Sequence, residues 1–456
     1  MKKNPQEHVE QARLSTKRVG GQDEALFRPI YQTGTGFYVA FGILGLIFLW
    51  SLYMYVTQLW FGLGLTGMNQ PVTWGFYIVN FVFFIGISHA GTLISAILRL
   101  SKAEWRRPIT RMAEVITAIV LAIGGLHPII DLGRPDRMLN LLEAGRLQSP
   151  LLWDITSITA YFTASTVYLY LPMIPDIARI RDRGGKLKWL YTFMAWGWQG
   201  TERQVRVLNR AINILMVMVI PIAISVHTVI SYIFSMTLQP GWHSTIFGPY
   251  FVVGAIFSGI AALMIVMIAF RKAYHLESYL KLIHFQYLST LLLIMSLIWF
   301  YFTFSEYLTG VFGAEPHEMH IIMYKFTGPF APFFWGMILC NFVLPVIIIS
   351  FKKFRTIPGI LVASIAVVIG MWLERLIIVV PSLANPRLDL PIGIYIPTIL
   401  EWALFAGGLA VFVMGFMLFS KFFPLISIWE IEEGRTHGRK EVEARIESYL
   451  PGISQK

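Results

Sequence analysis

Ten long apolar stretches constrain this chain more than any other feature. They cover residues 36–59, 74–98, 112–130, 151–174, 211–234, 249–270, 282–304, 330–351, 357–380 and 394–419. An α-helix crosses the hydrocarbon core of a bilayer with about 20 apolar residues, and each stretch is near or above that length. Strands of a membrane barrel would be roughly ten residues long and would alternate polar with apolar. These runs are longer and apolar all round. The reading is therefore all-α: a polytopic membrane protein with ten transmembrane helices. Composition agrees, with 56% hydrophobic residues and 14% charged, where an average soluble domain carries about 25% charged.

The net charge is +11, which in a soluble chain would point to nucleic acid. Its distribution argues otherwise. Of the 37 Lys and Arg, 31 fall before the first span, in the connections after spans 2, 4, 6 and 8, and after span 10; five fall in the opposite loops, and Arg375 lies inside a span. The positive-inside rule turns this into topology, with both termini cytoplasmic. The remaining basic attraction is for anionic lipid headgroups, and no nucleic-acid partner is expected. The polar residues before the first span show no leader pattern, so insertion is expected from the spans themselves.

Four regions follow: a cytoplasmic N-terminal arm (1–35), spans 1–5 (36–234), spans 6–10 (235–420) and a cytoplasmic tail (421–456) with a short surface helix. In the 4–5 connection, basic residues from Arg179 to Lys188 precede Trp189, Tyr191, Phe193, Trp196 and Trp198. That pattern suits a helix lying in the membrane interface. Trp74-Gly75-Phe76-Tyr77 and Phe247-Gly248-Pro249-Tyr250 echo each other at the entry of spans 2 and 6. The echo fits two four-helix bundles, spans 2–5 and 6–9, with spans 1 and 10 peripheral.

Ionisable groups within spans are costly and mark function by default. They are His89, His127, Asp131, Asp154, His227, Glu374, Arg375 and Glu401. The three histidines are expected at different depths, so no axial pair for a transmembrane haem is predicted. The single Cys340 excludes a four-cysteine iron–sulfur cluster, and His127 with Asp131 supplies only two ligands, so no metal centre is expected. The best cluster is at the outer end of spans 3 and 4. His127 and Asp131 share one helix face, one turn apart, Gly133-Arg134-Pro135 follows, and Asp154 lies one turn into span 4. Such groups can bind a polar headgroup and take its protons. The plainer reading is that Asp131 and Asp154 cap helices or pair with Arg134. His89 and His227 are either relay groups or buried helix-to-helix donors. Glu374 and Arg375 are adjacent and expected on different sides of span 9, with Glu401 a partner for Arg375.

The motifs Trp74-Gly75-Phe76-Tyr77-Ile78-Val79-Asn80-Phe81, Gly86-Ile87-Ser88-His89-Ala90-Gly91-Thr92, Leu132-Gly133-Arg134-Pro135, Ser149-Pro150-Leu151-Leu152-Trp153-Asp154, Ser225-Val226-His227-Thr228, Pro240-Gly241-Trp242-His243-Ser244-Thr245 and Gly370-Met371-Trp372-Leu373-Glu374-Arg375 resemble the NrfD/polysulfide-reductase membrane-subunit family. Within it the chain is most similar to the ActC or ActF subunits of bacterial alternative complex III, ActC being favoured by the Ser-Pro-Leu-Leu-Trp-Asp segment. The resemblance implies a subunit of the bacterial inner membrane that oxidises menaquinol or ubiquinol without a redox centre of its own. It implies electron transfer to an iron–sulfur protein on the outer face and then to multihaem cytochrome c subunits, beside a homologous NrfD-like membrane subunit. The family site falls on His127, Asp131, Arg134 and Asp154. Family members often carry His where Asp131 stands, so both His127 and Asp131 are retained. The resemblance also implies proton-relay roles for His89, Glu374 and Arg375, to which His227 and Glu401 are added on their burial in spans. Two rival classes remain: a secondary transporter or channel, for which Pro221 and Pro345 would break spans 5 and 8, and a structural anchor whose polar residues pair only with each other.

Overall fold

The computed structural model describes residues 24–185, 187–387 and 390–435. The first 23 residues of the arm and the tail beyond 435 lie outside the described residues; of the expected tail helix, residues 428–435 are described and helical, with Ile428 and Glu430 buried. Among the described residues every regular element is helical. After a short helix, α1 (Glu24–Tyr31), come α2 (Thr35–Phe61), α3 (Phe76–Leu100), α4 (Thr110–Asp131), α5 (Pro150–Arg183), α6 (Lys188–Met194), α7 (Glu202–Ser235), α8 (Phe247–Ala273), α9 (Leu282–Gly313), α10 (Pro316–Phe326), α11 (Ala331–Ser350), α12 (Ile357–Ala384) and α13 (Ile399–Phe422).

Nine of these helices are long and apolar enough to cross a membrane: α2, α3, α4, α7, α8, α9, α11, α12 and α13. The tenth expected span lies within α5. This helix is long enough at 34 residues, but Asp154 and a run of Ser and Thr hydroxyls make it less apolar. Those hydroxyls are satisfied inside the helix, as Thr156, Thr163 and Thr166 each donate to the carbonyl one turn back. The helices also overrun the apolar stretches, because charged residues continue the helix past the oily core. Span 10 is the exception. Helix begins only at Ile399, and residues 391–398 with Pro391 and Pro397 are irregular, since proline disfavours helix at the residue before it.

The packing forms two rings. In the first, α3 packs on α4 and α7, and α5 closes the ring against both; in the second, α8 packs on α9 and α12, and α11 closes it. The rings meet where α3 lies against α8 and α12, while α2 and α13 pair at the periphery. Close crossings require small residues. A Cβ on Gly91 would stand 1.8 Å from the Ala113 carbonyl oxygen, so α3 and α4 touch backbone to backbone there. In α11 the missing amide of Pro345 frees the carbonyl of Asn341, one turn back. A π-helical turn, Leu339–Val343, sits at that point, and the Ser296 hydroxyl donates to the freed oxygen at 2.6 Å.

The basic face is closed by a strap. Residues 423–435 cross the ends of α3, α4 and α5. The buried Glu430 carboxylate pairs with Arg99 and with Arg106 at 2.9 Å, and Arg107 donates to its carbonyl at 2.5 Å. These guanidinium charges outweigh burial and hold the Glu430 carboxyl below the usual glutamate range. Asp176, fully buried, accepts from Arg111 at 2.6 Å and from the amides of Ile428 and Trp429. Nearby, α6 exposes Trp189 and Phe193, with Trp196 just beyond, consistent with a helix lying in the interface.

Candidate functional site

The site builds from the charge-poor end of α4. His127 and Asp131 lie on the last two turns, and Gly133, at φ +62°, takes the left-handed conformation that ends the helix. His127 is buried against Phe84, ring centroids 5.3 Å apart. Its Nδ1 lies 2.9 Å from the carbonyl oxygen of Ile123. An N–H must occupy that contact, so the neutral tautomer leaves Nε2 as an acceptor. His127 Nε2, Asp131 Oδ1 and Asp154 Oδ1 are all buried without a hydrogen-bond partner in the protein.

Asp154 lies on the opposing helix. Ile158 of α5 approaches Gly125 of α4, a Cβ there being 4.0 Å from the Ile158 methyl. Asp154, one turn toward the charge-poor end from Ile158, therefore stands level with the last turn of α4. The two carboxyl groups sit in opposite helix fields: Asp131 at the negative C-terminal end of α4, Asp154 near the positive N-terminal end of α5. Neither aspartate caps a helix, and Ser149, the residue before α5, makes no side-chain cap either. An unanswered polar atom in a protein interior is expensive, about 1–3 kcal/mol. Three at one end of one bundle fit a ligand that carries hydroxyl or carbonyl groups.

Arg134 is not brought to this cluster. It is exposed and forms a two-pronged pair with Asp136, at 3.0 and 2.8 Å. The short connection lets a neighbouring acid two residues on outcompete Asp131 and Asp154.

Of the remaining ionisable groups, the two histidines and the Glu374–Arg375 pair lie within the bundles. His89 and His227 meet, with ring centroids 3.8 Å apart, which corrects the expectation of different depths. The ends of α3 and α7 are offset along the bundle, so distance counted from each helix start misjudges their level. Rings in direct contact leave no room for a porphyrin between them. His89 Nε2 lies 2.7 Å from the Ala223 carbonyl oxygen, while both ring nitrogens of His227 are without a partner. Glu374 and Arg375 do not diverge as expected: Arg375 Nη1 is 3.0 Å from Glu374 Oε2, both buried. Gly254 makes room, since a Cβ there would be 2.9 Å from Arg375 Nη2. Trp299 donates to Glu374 at 2.6 Å, and the Arg375 guanidinium lies over the Phe251 ring.

Glu401 does not partner Arg375. Its carboxylate accepts from the Gly67 and Thr398 amides at 2.8 Å, the Thr398 hydroxyl at 3.2 Å and the Tyr395 hydroxyl at 2.5 Å. This is a capping box, and the Thr398-x-x-Glu401 spacing was a readable sign of it.

Gln58 and Tyr77 join this region without having stood out in the sequence. Both are fully buried at this same end of the molecule; the signal was a lone amide in the first apolar run. The second bundle has its own chamber of about 50 Å³, lined by Tyr250, Glu306, Tyr307, Glu318, Lys325 and Glu374 among others. Among the described residues no group of three or more His, Cys, Asp or Glu side chains could hold a metal ion.

Comparison with known proteins agrees with this architecture. Residues 64–386 match the family model described as polysulphide reductase, NrfD. One selenate reductase subunit, from Mesobacillus selenatarsenatis, is 25% identical over 93% of this chain and 100% of its own length. The Hdr-like menaquinol oxidoreductase integral membrane subunit of Archaeoglobus fulgidus is 22% identical over 81% of this chain and 89% of its own. A Halobacterium salinarum protein named for the membrane subunit of a dimethyl sulfoxide reductase is 29% identical over half of each chain. With some seven-tenths of its length matched to the family model, the chain belongs to the NrfD polysulphide reductase family.

Proposed function

We propose that this chain is the quinol-oxidising membrane subunit of an oxidoreductase complex, with its site at the charge-poor end of the first bundle. The observation that carries the reading is the trio of buried, unanswered polar atoms on His127, Asp131 and Asp154. Family membership and the name of the Archaeoglobus relative favour menaquinol over ubiquinol. The basic face is the cytoplasmic one, so the site faces outward, in a bacterial inner membrane with both termini inside.

Oxidation of one quinol breaks two O–H bonds and releases two protons and two electrons. Asp154 takes one proton and His127 Nε2 or Asp131 the other. The quinone departs, and the electrons leave singly to an iron–sulfur cluster of a partner on the outer face. Arg134, at the rim, lies where such a partner would dock. Multihaem cytochromes as onward acceptors, a homologous membrane subunit and an alternative complex III setting of the ActC or ActF kind extend this proposal.

A proton route through the interior belongs to the same reading. The touching rings of His89 and His227, the Glu374–Arg375 pair and the second-bundle chamber form a succession of buried groups able to pass protons. Glu401, its oxygens already occupied, serves it as a fixed anion rather than a carrier.

The test is Asp154→Asn in membranes holding the assembled complex. Loss of a general base costs about 10²- to 10⁴-fold in turnover. Unchanged turnover together with unchanged quinol affinity would sink the assignment.

A further inference from the structure

Helix α2 is the least embedded of the long helices, and its two buried residues, Ser51 and Gln58, are both polar. Gln58 is answered at both ends of its amide. Its Nε2 donates to the Ile130 carbonyl at 2.9 Å, and its Oε1 accepts from the Tyr77 hydroxyl at 2.5 Å. Tyr77 sits in the first turn of α3. Ile130 O belongs to the last turn of α4, where carbonyls lack the usual intrahelical donors; besides Gln58 it receives the Gly133 amide, at 3.2 Å, and the Leu132 amide.

A helix that packs mainly on α13 and leaves most of its surface exposed has no need of a buried amide. Hydrocarbon alone would make one expensive. Here the amide links the first turn of α3, through Tyr77, to the turn of α4 that carries Asp131, with His127 one turn behind it. Tyr77 also lies within electrostatic reach of Asp131 and of Glu401. Glu401 in turn ties the Gly67 loop to α13. Ile130 itself packs against the cluster of Tyr77, Leu400 and Leu404, so α2, α3 and α13 all bear on this turn of α4.

We infer that Gln58 and Tyr77 are positioning residues, which hold the last turn of α4 and so aim Asp131 at the quinol. This rests on the proposed quinol site. It makes α2 part of the frame of the site rather than a peripheral anchor.

The experiment uses membranes holding the assembled complex, with menadiol and decylubiquinol as probes. Gln58→Met keeps the volume and removes both hydrogen bonds. Tyr77→Phe spares the bond to Ile130. Each is measured alone and combined with Asp131→Asn, recording kcat, KM and membrane abundance. Misplacement of a reacting group by about 1 Å costs up to 10²-fold. Gln58→Met is expected to lower kcat/KM about tenfold or more at normal abundance, and Tyr77→Phe by less. Because both act through Asp131, neither adds appreciably to the loss in the Asp131→Asn background. If Gln58→Met does not accumulate, the Tyr77→Phe cycle carries the test. Wild-type turnover in both single variants, or losses that add fully to that of Asp131→Asn, overturns the positioning role alone. Failure of the wild type to oxidise either probe overturns the quinol reading, and the positioning role with it.

Discussion

The charge-poor ends of the two bundles start alike and finish differently. Tyr77 and Tyr250 occupy matching places in the sequence echo, each in the first turns of its bundle's leading helix. In the first bundle the acidic groups beyond that tyrosine go unanswered: Asp131 and Asp154 each keep a buried oxygen without a donor. In the second, Glu306 accepts from Ser244 at 2.6 Å, Glu374 accepts from Trp299, and the Tyr250 and Thr303 hydroxyls meet at 3.1 Å. The second bundle keeps orphaned atoms too, on Arg375 and Asn341, beside a chamber of about 50 Å³. The difference teaches that burial of carboxyl groups alone does not mark a ligand site. At these two ends, carboxyl oxygens with neither a hydrogen-bond donor nor an ion-pair partner, on Asp131 and Asp154, set the first bundle apart.

Four substitutions sharpen or break this contrast. The largest effect on stability is expected in the second bundle. Arg375→Met leaves Glu374 as an unpaired buried charge and should cost about 3–5 kcal/mol, read as a lower thermal midpoint in detergent. A midpoint equal to wild type would mean the pair is no part of the fold's support. In the first bundle the expectation inverts. His127→Leu removes an unanswered nitrogen, so the midpoint stays level or rises, while quinol turnover falls about 10²-fold. A variant that is unstable yet active would erase the distinction between the two ends.

A pH effect comes next. Lys325, on α10 outside the spans, is buried and its ammonium is pushed down to about 8, with Glu306 opposing the shift. Between about pH 8 and the usual lysine range near 10.4, the unfolded chain then binds more protons than the folded one. Stability should therefore rise with pH across that window. Replacing Lys325→Met should flatten the rise, as followed by thermal midpoints taken from pH 7.5 to 10. An unchanged slope would place the titration elsewhere. The smallest effect is Ser244→Ala, which removes one donor from Glu306 and should cost about 1 kcal/mol with little change in turnover. A turnover loss as large as that of His127→Leu would move the chemistry to the second bundle.

Much of this was legible in the sequence, because hydrocarbon imposes both length and composition. Apolar runs marked the spans, basic residues marked one face, and the Tyr77/Tyr250 echo marked the two rings that the packing forms. His127, Asp131 and Asp154 stood out since ions are scarce in such helices. What stayed hidden depends on how helices slide past and lean on one another. The contact of His89 with His227 needed the offset between α3 and α7. The Glu374–Arg375 pair needed the space at Gly254, because neighbours on a helix normally face apart. Arg134 was misjudged through Asp136, a competitor two residues away, and Gln58 was passed over because it bears no charge.

The most direct test of the account is to label the complex with a photoreactive azidoquinone and map the modified peptides. Labels on residues 123–158, suppressed by excess menaquinone, are predicted. Labels instead on residues 241–325, with none at the ends of α4 and α5, would contradict it.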